Sequence, residues 1–311
     1  MTTSHHESTD LRVRIGSLTL ANPLMNASGT FATGFEYQDF IDLSGLGALV
    51  TKGVSPAPWT GNPGRRLHET ASGVLNSIGL QNPGVESYCA NELKVIRASA
   101  PDVPVIVNVC GHRVSDYVAV IERLESEESV AAYELNISCP NVDAGGMQIG
   151  TNPQAAAEVT RACREITKRP LIVKLTPNVT DIAEIARAVE AAGADAVSLI
   201  NTLLGMAIDA DRRKLIFERG VAGLSGPAIK PVALRMVWEV ARSVKVPVIG
   251  MGGVASGADV AEFLLAGATA VAIGTANFSD PRALATVRDE LVAYCEEQGI
   301  DKVTDLIGAL R

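Results

Sequence analysis

The sequence predicts a single (β/α)8 barrel, an α/β fold of eight parallel strands ringed by helices. Three observations predict it. Eight short apolar runs recur along the 311 residues, nearly all followed by a helical pattern. Six of these runs end in polar side chains: Asn26, Lys52, Asn108, Asn136, Lys174 and Asn201. Glycine turns follow the last two runs. Barrels keep their chemistry at the C-terminal ends of the strands, and often bind phosphate after strands seven and eight. The polar ends and the glycine turns therefore describe one mouth. The length would also suit two domains, but no composition shift, repeat or low-complexity tract divides the chain.

Residues 1–10 read as a flexible polar tail without the apolar stretch of a signal peptide. Residues 11–311 are expected to form the barrel domain. Within it, residues 11–20 alternate apolar and polar around Gly16-Ser17, which predicts an N-terminal hairpin. Strands are expected at 23–26, 48–52, 105–109, 133–137, 171–175, 196–201, 246–250 and 270–273. Two helices show how the intervening segments are read. Asp181 caps the first, with Glu184 completing a capping box. Ile182, Ile185, Ala186 and Val189 form its buried face, and Gly193 closes it. Ser256 caps the second, which is buried through Val260, Phe263 and Leu264 and ends at Gly267. Residues 53–84 after strand two and 202–226 after strand six exceed ordinary βα connections. Both leave the predicted active face, where they can cover a ligand.

Composition removes several classes of function. Aromatic residues are 4% and the net charge is −8, which argues against a nucleic-acid surface. No apolar run reaches membrane-spanning length. Five cysteines, Cys89, Cys110, Cys139, Cys163 and Cys295, lack metal-ligand spacing and suit reduced thiols in the cytoplasm. Cys89, Cys163 and Cys295 fall in helical segments and read as small hydrophobes, and Cys110 as a bystander near the mouth. His112 reads as a solvated loop histidine. His68 belongs to a charged surface run with Arg65, Arg66 and Glu69.

Cys139 is different. The run from Glu134 to Ile137 ends a buried strand, Pro140 breaks it, and Cys139 stands in the turn. Asn136 precedes the cysteine by three residues and Asn141 follows it by two. A thiol can accept a proton, and two amides can hold a planar polar ligand. Phosphate binding is expected at Gly252-Gly253 after strand seven and Gly274-Thr275 after strand eight, joined by Gly226. Glycine lets backbone N–H groups approach a phosphate closely, and a helix start adds a favourable dipole. A sugar phosphate, a nucleotide or flavin mononucleotide would each satisfy that signal.

With these residues in place, the chain resembles the class 1 dihydroorotate dehydrogenases. The matching motifs span nearly its whole length. They are Asn26-Ala27-Ser28-Gly29-Thr30, Thr51-Lys52-Gly53, Asn76-Ser77-Ile78-Gly79-Leu80 with Asn82-Pro83-Gly84, the Cys139 segment, Val173-Lys174-Leu175, Asn201-Thr202 and both glycine turns. Gln81 to Val85, with Gly145-Gly146 and Gly150-Thr151, is similar to the NAD-linked class 1B branch. The segment Ala32-Thr33-Gly34 departs from the family, where more glycine is expected, and Ser77 varies within its motif.

The resemblance implies oxidation of (S)-dihydroorotate to orotate in pyrimidine (UMP) synthesis, with FMN bound and no metal. It implies Cys139 as the base. Substrate would be held by Lys52, Asn76, Ser77, Ile78, Gly79, Leu80, Asn136, Asn141, Asn201 and Thr202. FMN would contact Ser28, Lys52, Gly53, Asn108, Asn136, Lys174 and Ile200, with its phosphate on Gly226, Gly252, Gly253, Gly274 and Thr275. Class 1B further implies a homodimer core joined by two partner subunits that carry FAD and a [2Fe–2S] cluster and pass electrons to NAD+. This chain itself has neither a cluster-binding cysteine array nor a dinucleotide fingerprint after its first strand. Three other readings stand beside it: a fumarate-linked class 1A enzyme, a dihydropyrimidine dehydrogenase-like flavoprotein, and a non-redox phosphate barrel with a cysteine nucleophile.

Overall fold

The computed structural model describes residues 9–138 and 149–310. A hairpin comes first: β1 (Val13–Ile15) and β2 (Leu18–Leu20) pair antiparallel across Gly16. The first barrel strands are β3 (Leu24–Asn26) and β4 (Leu49–Val50). Two further strands, β5 (Leu67–Thr70) and β6 (Gly73–Asn76), precede helices α1 (Val85–Ala90) and α2 (Glu92–Ser99). Then strand and helix alternate: β7 (Val105–Val109), α3 (Val114–Leu124), β8 (Val130–Asn136), α4 (Pro153–Ile166), β9 (Leu171–Lys174), α5 (Ile182–Ala191) and β10 (Ala196–Leu199). Short strands β11 (Leu203–Gly205), β12 (Ile208–Asp209), β13 (Lys214–Leu215) and β14 (Ala222–Ser225) follow. The chain ends with α6 (Lys230–Ala241), β15 (Val248–Met251), α7 (Gly257–Leu265), β16 (Ala270–Ile273), α8 (Ala276–Ser279) and α9 (Ala283–Gln298).

Eight parallel strands form one sheet in the order β3-β16-β15-β10-β9-β8-β7-β4. Its two edges meet and nearly close the barrel. A lone parallel bridge joins Met25 to Ala48. Beyond it the Asn26 side chain replaces the ladder: Nδ2 donates to the Val50 carbonyl at 2.6 Å, and the Val50 N–H donates back to Oδ1 at 2.9 Å. Every residue of β7, β9, β10, β15 and β16 is buried. A parallel sheet covered by helices outside and side chains inside requires such two-sided burial.

The eight expected strands are all present, with ends shifted by up to three residues. The capping residues act as anticipated. The Asp181 carboxylate accepts from the N–H groups of Ala183 and Glu184, and Ser256 forms a reciprocal box with Asp259. Glu184 completes no box at the first of these helices. The long connections are more ordered than a loop reading suggests. Strands β5 and β6 from the first join β11 and β14 from the second in one antiparallel sheet, ordered β11-β14-β6-β5. The run containing Arg65 to Glu69 thus supplies β5, where His68 meets Phe217 edge-on. His112 is exposed, yet its ring stacks on Trp59 with centroids 4.3 Å apart. Of the expected tail, Asp10 is tied to the C-terminal segment by its N–H to the Asp301 carbonyl at 2.8 Å. Residues 1–8 lie outside the described part.

Candidate active site

A cavity of about 410 Å³ opens at the C-terminal ends of the barrel strands, under the four-stranded sheet of the two long connections. Its floor is polar because strands end there in amides. Asn108 is the penultimate residue of β7 and is fully buried, and Asn136 closes β8. Asn136 Nδ2 donates to Asn108 Oδ1 at 3.3 Å, and Asn136 Oδ1 accepts from Ser138 Oγ at 2.7 Å. Asn201, just past β10, donates from Nδ2 to Ser138 Oγ at 2.7 Å. Its own Oδ1 takes the Thr202 N–H at 2.8 Å. Gly53 admits Asn108 to the floor, because a Cβ on Gly53 would lie 3.1 Å from Asn108 Oδ1.

Two lysines reach the cavity from the ends of different strands. Lys174 ends β9, is 5% exposed, and donates to Ser28 Oγ at 3.3 Å. Among the described residues no carboxylate lies within 4.0 Å of it, so its ammonium lacks a protein counterion. Lys52 lies past β4. Burial holds its pKa below the ordinary lysine range, and the nearby Arg66 guanidinium adds to that effect while Cys110 opposes it.

One wall is the loop after β6. Asn76 is anchored by Nδ2 to the Gly223 carbonyl at 3.1 Å, and Ser77 Oγ accepts from Asn62 Nδ2 at 2.9 Å. The backbone then bends through two left-handed residues, Gly79 at φ 73 and Leu80 at φ 53. A Cβ on Gly79 would fall 2.5 Å from Asn62 Oδ1, so glycine is required there. Leu80 carries its side chain at a cost, since a left-handed conformation disfavours L-residues by about 1–2 kcal/mol. The bend turns three consecutive N–H groups, of Ile78, Gly79 and Leu80, away from every acceptor among the described residues. Successive free N–H groups in such a turn make an anion-binding concavity.

The opposite wall follows β14, β15 and β16. Here the N–H groups of Gly226, Gly252, Gly253, Gly274 and Thr275 likewise have no acceptor among the described residues. Gly253 has φ 78, and a Cβ on it would meet Lys230 Cβ at 2.8 Å and the Gly226 carbonyl at 2.9 Å. Thr275 Oγ1 donates to Ser225 Oγ at 2.9 Å, which joins the eighth strand to the insertion. Lys230 is held elsewhere, by Asp259 at 2.6 Å and Glu262 at 2.8 Å.

A dihydroorotate dehydrogenase model matches residues 10–294. The chain belongs to the dihydroorotate dehydrogenase family. It is 54% identical to the "Dihydroorotate dehydrogenase B (NAD(+)), catalytic subunit" of Alkaliphilus oremlandii, over 97% of this chain and 99% of that protein. The similarly named proteins of Geobacter sulfurreducens and Halalkalibacterium halodurans are 53% and 51% identical, over 97% and 96% of this chain and 98% and 97% of theirs. The chain groups with these B-type catalytic subunits, the branch that its 81–85 segment resembles. In fold it is similar to a solved dihydroorotate dehydrogenase, a crystal structure with ferulenol from Eimeria tenella. The TM-score is 0.81, with 22% identity, over 99% of this chain and 90% of that one.

The family's sequence-predicted site residues that are described, from Ser28 to Thr275, all line this cavity. Cys139 and Asn141 lie outside the described residues, as does Gly145-Gly146. Ser138, immediately before the cysteine, is held in the floor by Asn136 and Asn201. Sequence reasoning overlooked Ser138, Ser225 and Asn62, whose types and positions carry no signal until the chain is folded. It also passed over Glu134, which had a signal: an acidic residue inside an apolar strand. No helix among the described residues is long and apolar enough to cross a membrane.

Proposed function

We propose that this chain oxidises (S)-dihydroorotate to orotate in pyrimidine synthesis, with FMN in the cavity, Cys139 as base, and NAD+ as final acceptor through a partner subunit. One observation carries the reading. Two separate sets of backbone N–H groups that have no acceptor among the described residues face a single cavity, with a row of amides at the strand ends between them. The set at 252–275 suits a phosphate. The set at 78–80 suits a carboxylate, which distinguishes dihydroorotate from a plain dihydropyrimidine.

The residues present fit FMN. Gly226, Gly252, Gly253, Gly274 and Thr275 would hold its phosphate. Ser28, Lys52, Gly53, Asn108, Asn136 and Ile200 would line the ring. Lys174, with no carboxylate within 4.0 Å among the described residues, would face the part that gains negative charge on reduction. Bound FMN supplies a two-electron acceptor for the hydride that leaves C6. The chain's own work is at C5 and around the pyrimidine. Asn76, Asn136, Asn141, Asn201 and Thr202 orient it, Ile78 to Leu80 fix its carboxylate with Ser77 beside them, and Lys52 adds charge. The Cys139 thiolate takes the C5 proton, which a neighbouring carbonyl acidifies, and the C5=C6 bond forms. A positioned base of this kind contributes about 10²–10⁴-fold.

The electrons then need an exit. A shallow groove beside the cavity exposes Phe40, Leu67 and Phe278, of which Leu67 and Phe278 also line the cavity. This apolar strip supports docking of a partner carrying FAD and a [2Fe–2S] cluster. A second exposed patch, Leu204, Met206, Ile208, Leu215 and Val221, lies on the insertion and supports a homodimer core. The four buried thiols suit the cytoplasm. Ligand choice tests the reading: orotate should perturb the flavin spectrum of the purified protein, and uracil should need far higher concentration. Equal binding of the two would remove the carboxylate site and favour a dihydropyrimidine enzyme.

A further inference from the structure

Glu134 stands inside the barrel, 3% exposed, in a strand whose other residues are apolar up to Leu135, with Asn136 at its end and the Tyr133 ring before it. Among the described residues no cation lies within 4.0 Å of it. A buried carboxylate without a counterion is costly unless donors satisfy it. Two do: Asn108 Nδ2 at 2.6 Å on one oxygen and Ser198 Oγ at 2.7 Å on the other. An apolar side chain would serve the core at lower cost, so the carboxylate calls for a reason.

The reason lies in what Asn108 does next. From Glu134 a run of hydrogen bonds crosses the cavity floor in one direction. The carboxylate only accepts, so Asn108 must turn its NH2 toward it. Asn108 Oδ1 then faces Asn136 and accepts from it at 3.3 Å. Asn136 Oδ1 accepts the Ser138 hydroxyl at 2.7 Å, and Ser138 accepts Asn201 Nδ2 at 2.7 Å. At the far end the Thr202 N–H, which only donates, meets Asn201 Oδ1 at 2.8 Å. The run is thus closed by a pure donor at one end and a pure acceptor at the other. Every amide between them has one orientation that satisfies both neighbours.

We propose that Glu134 is a positioning residue for substrate: its carboxylate, reaching Asn108, locks the Asn108–Asn136–Ser138–Asn201 run and so fixes how Asn136 and Asn201 present themselves in the cavity. The inference rests on the reading that these two amides meet the pyrimidine. Without an acceptor at position 134, the buried Asn108 NH2 is left unpaired. Its relief is an amide flip, which removes the partner of Asn136 and loosens the rest of the run. Reach, and not charge, is what the role requires.

Two conservative variants of the FMN-loaded protein separate reach from charge. Glu134→Gln keeps a carbonyl acceptor at full length. Glu134→Asp keeps the charge but withdraws the carboxylate from Asn108. Orotate affinity, read from the flavin spectrum, should stay within about threefold in Glu134→Gln and fall about tenfold in Glu134→Asp, the size expected when one buried acceptor is withdrawn. An electrostatic role reverses that order and shifts the flavin potential in Glu134→Gln. A merely structural role lowers the melting temperature of both variants and leaves orotate affinity alone. Either pattern overturns the proposal, and a tenfold loss in Glu134→Gln does so even if Glu134→Asp fails to fold. Asn136→Ala is the companion. If it leaves orotate affinity unchanged, the underlying reading of the site fails. If it weakens orotate while both Glu134 variants bind normally, only the role of Glu134 fails.

Discussion

A thiol acts as a base only through its thiolate, and an unperturbed cysteine, with a pKa of about 8.5, offers little of it near neutral pH. Three cysteines of this chain are worse placed still. Burial pushes Cys89 up to about 11 and Cys163 up to about 12, and raises Cys295. These three thiols pack in the core, and the proposed mechanism gives the base to Cys139. Cys139→Ala is expected to retain FMN and lose about 10²-fold or more in turnover with dihydroorotate. Cys139→Ser should be slower than wild type, because a hydroxyl ionises less readily. Near-normal rates in either variant exclude the thiol as base. Lys52 gives a second residue-level test. Burial depresses its pKa, so part of the free protein carries neutral Lys52 at alkaline pH. An anionic ligand favours the ammonium, so binding takes up a proton there. Orotate affinity should therefore fall as pH rises through the depressed lysine pKa, and Lys52→Gln should bind more weakly with a flat profile. A flat profile in the wild type would separate Lys52 from the ligand.

Elements explain what the sequence could and could not announce. The barrel strands were legible because burial on both faces writes an unbroken apolar run, as in Leu171 to Val173 of β9. The caps at Asp181 and Ser256 were legible because side-chain oxygens at helix starts have a local job. The four-stranded cover was not. Strands β5 and β6 pair with β11 and β14 from a distant segment, and only Leu75, Ala222 and Gly223 of their residues are buried, so they write no apolar run. Asn26 showed as a polar strand end, but its service as a substitute ladder across the barrel seam appears only when Val50 lies beside it. Gly253 was legible as part of a glycine turn, without the reason. Its φ of 78 and the 2.8 Å approach to Lys230 leave no room for Cβ. Gly253→Ala should displace the free N–H groups and yield protein with strongly reduced FMN content, measured by absorbance after purification. Full FMN occupancy would mean that this turn does not hold the phosphate.

At the scale of the molecule, the proposed function assigns chemistry and electron exit to different surfaces. The substrate side is closed by the insertion sheet, and the apolar groove of Phe40, Leu67 and Phe278 leads from the cavity to the outside. Phe40 is 54% exposed and lines the groove but not the cavity, so a charge there should be tolerated by the fold and by the site. Phe40→Glu is expected to keep reduction of the flavin by dihydroorotate while NAD+ reduction in the assembled complex falls at least tenfold. Equal loss of both activities would place the exit elsewhere. The motif positions at the strand ends were readable one by one from sequence. Their convergence, and the hydrogen-bond run beginning at Glu134, depend on strands brought together across the barrel.

The most direct test of the central claim is the visible spectrum of the purified protein, recorded anaerobically before and after dihydroorotate is added. A flavin spectrum should be present at the start. It should bleach on addition, with one orotate formed for each FMN reduced. A flavin that dihydroorotate leaves oxidised, or a colourless protein unable to take up FMN, would contradict the account.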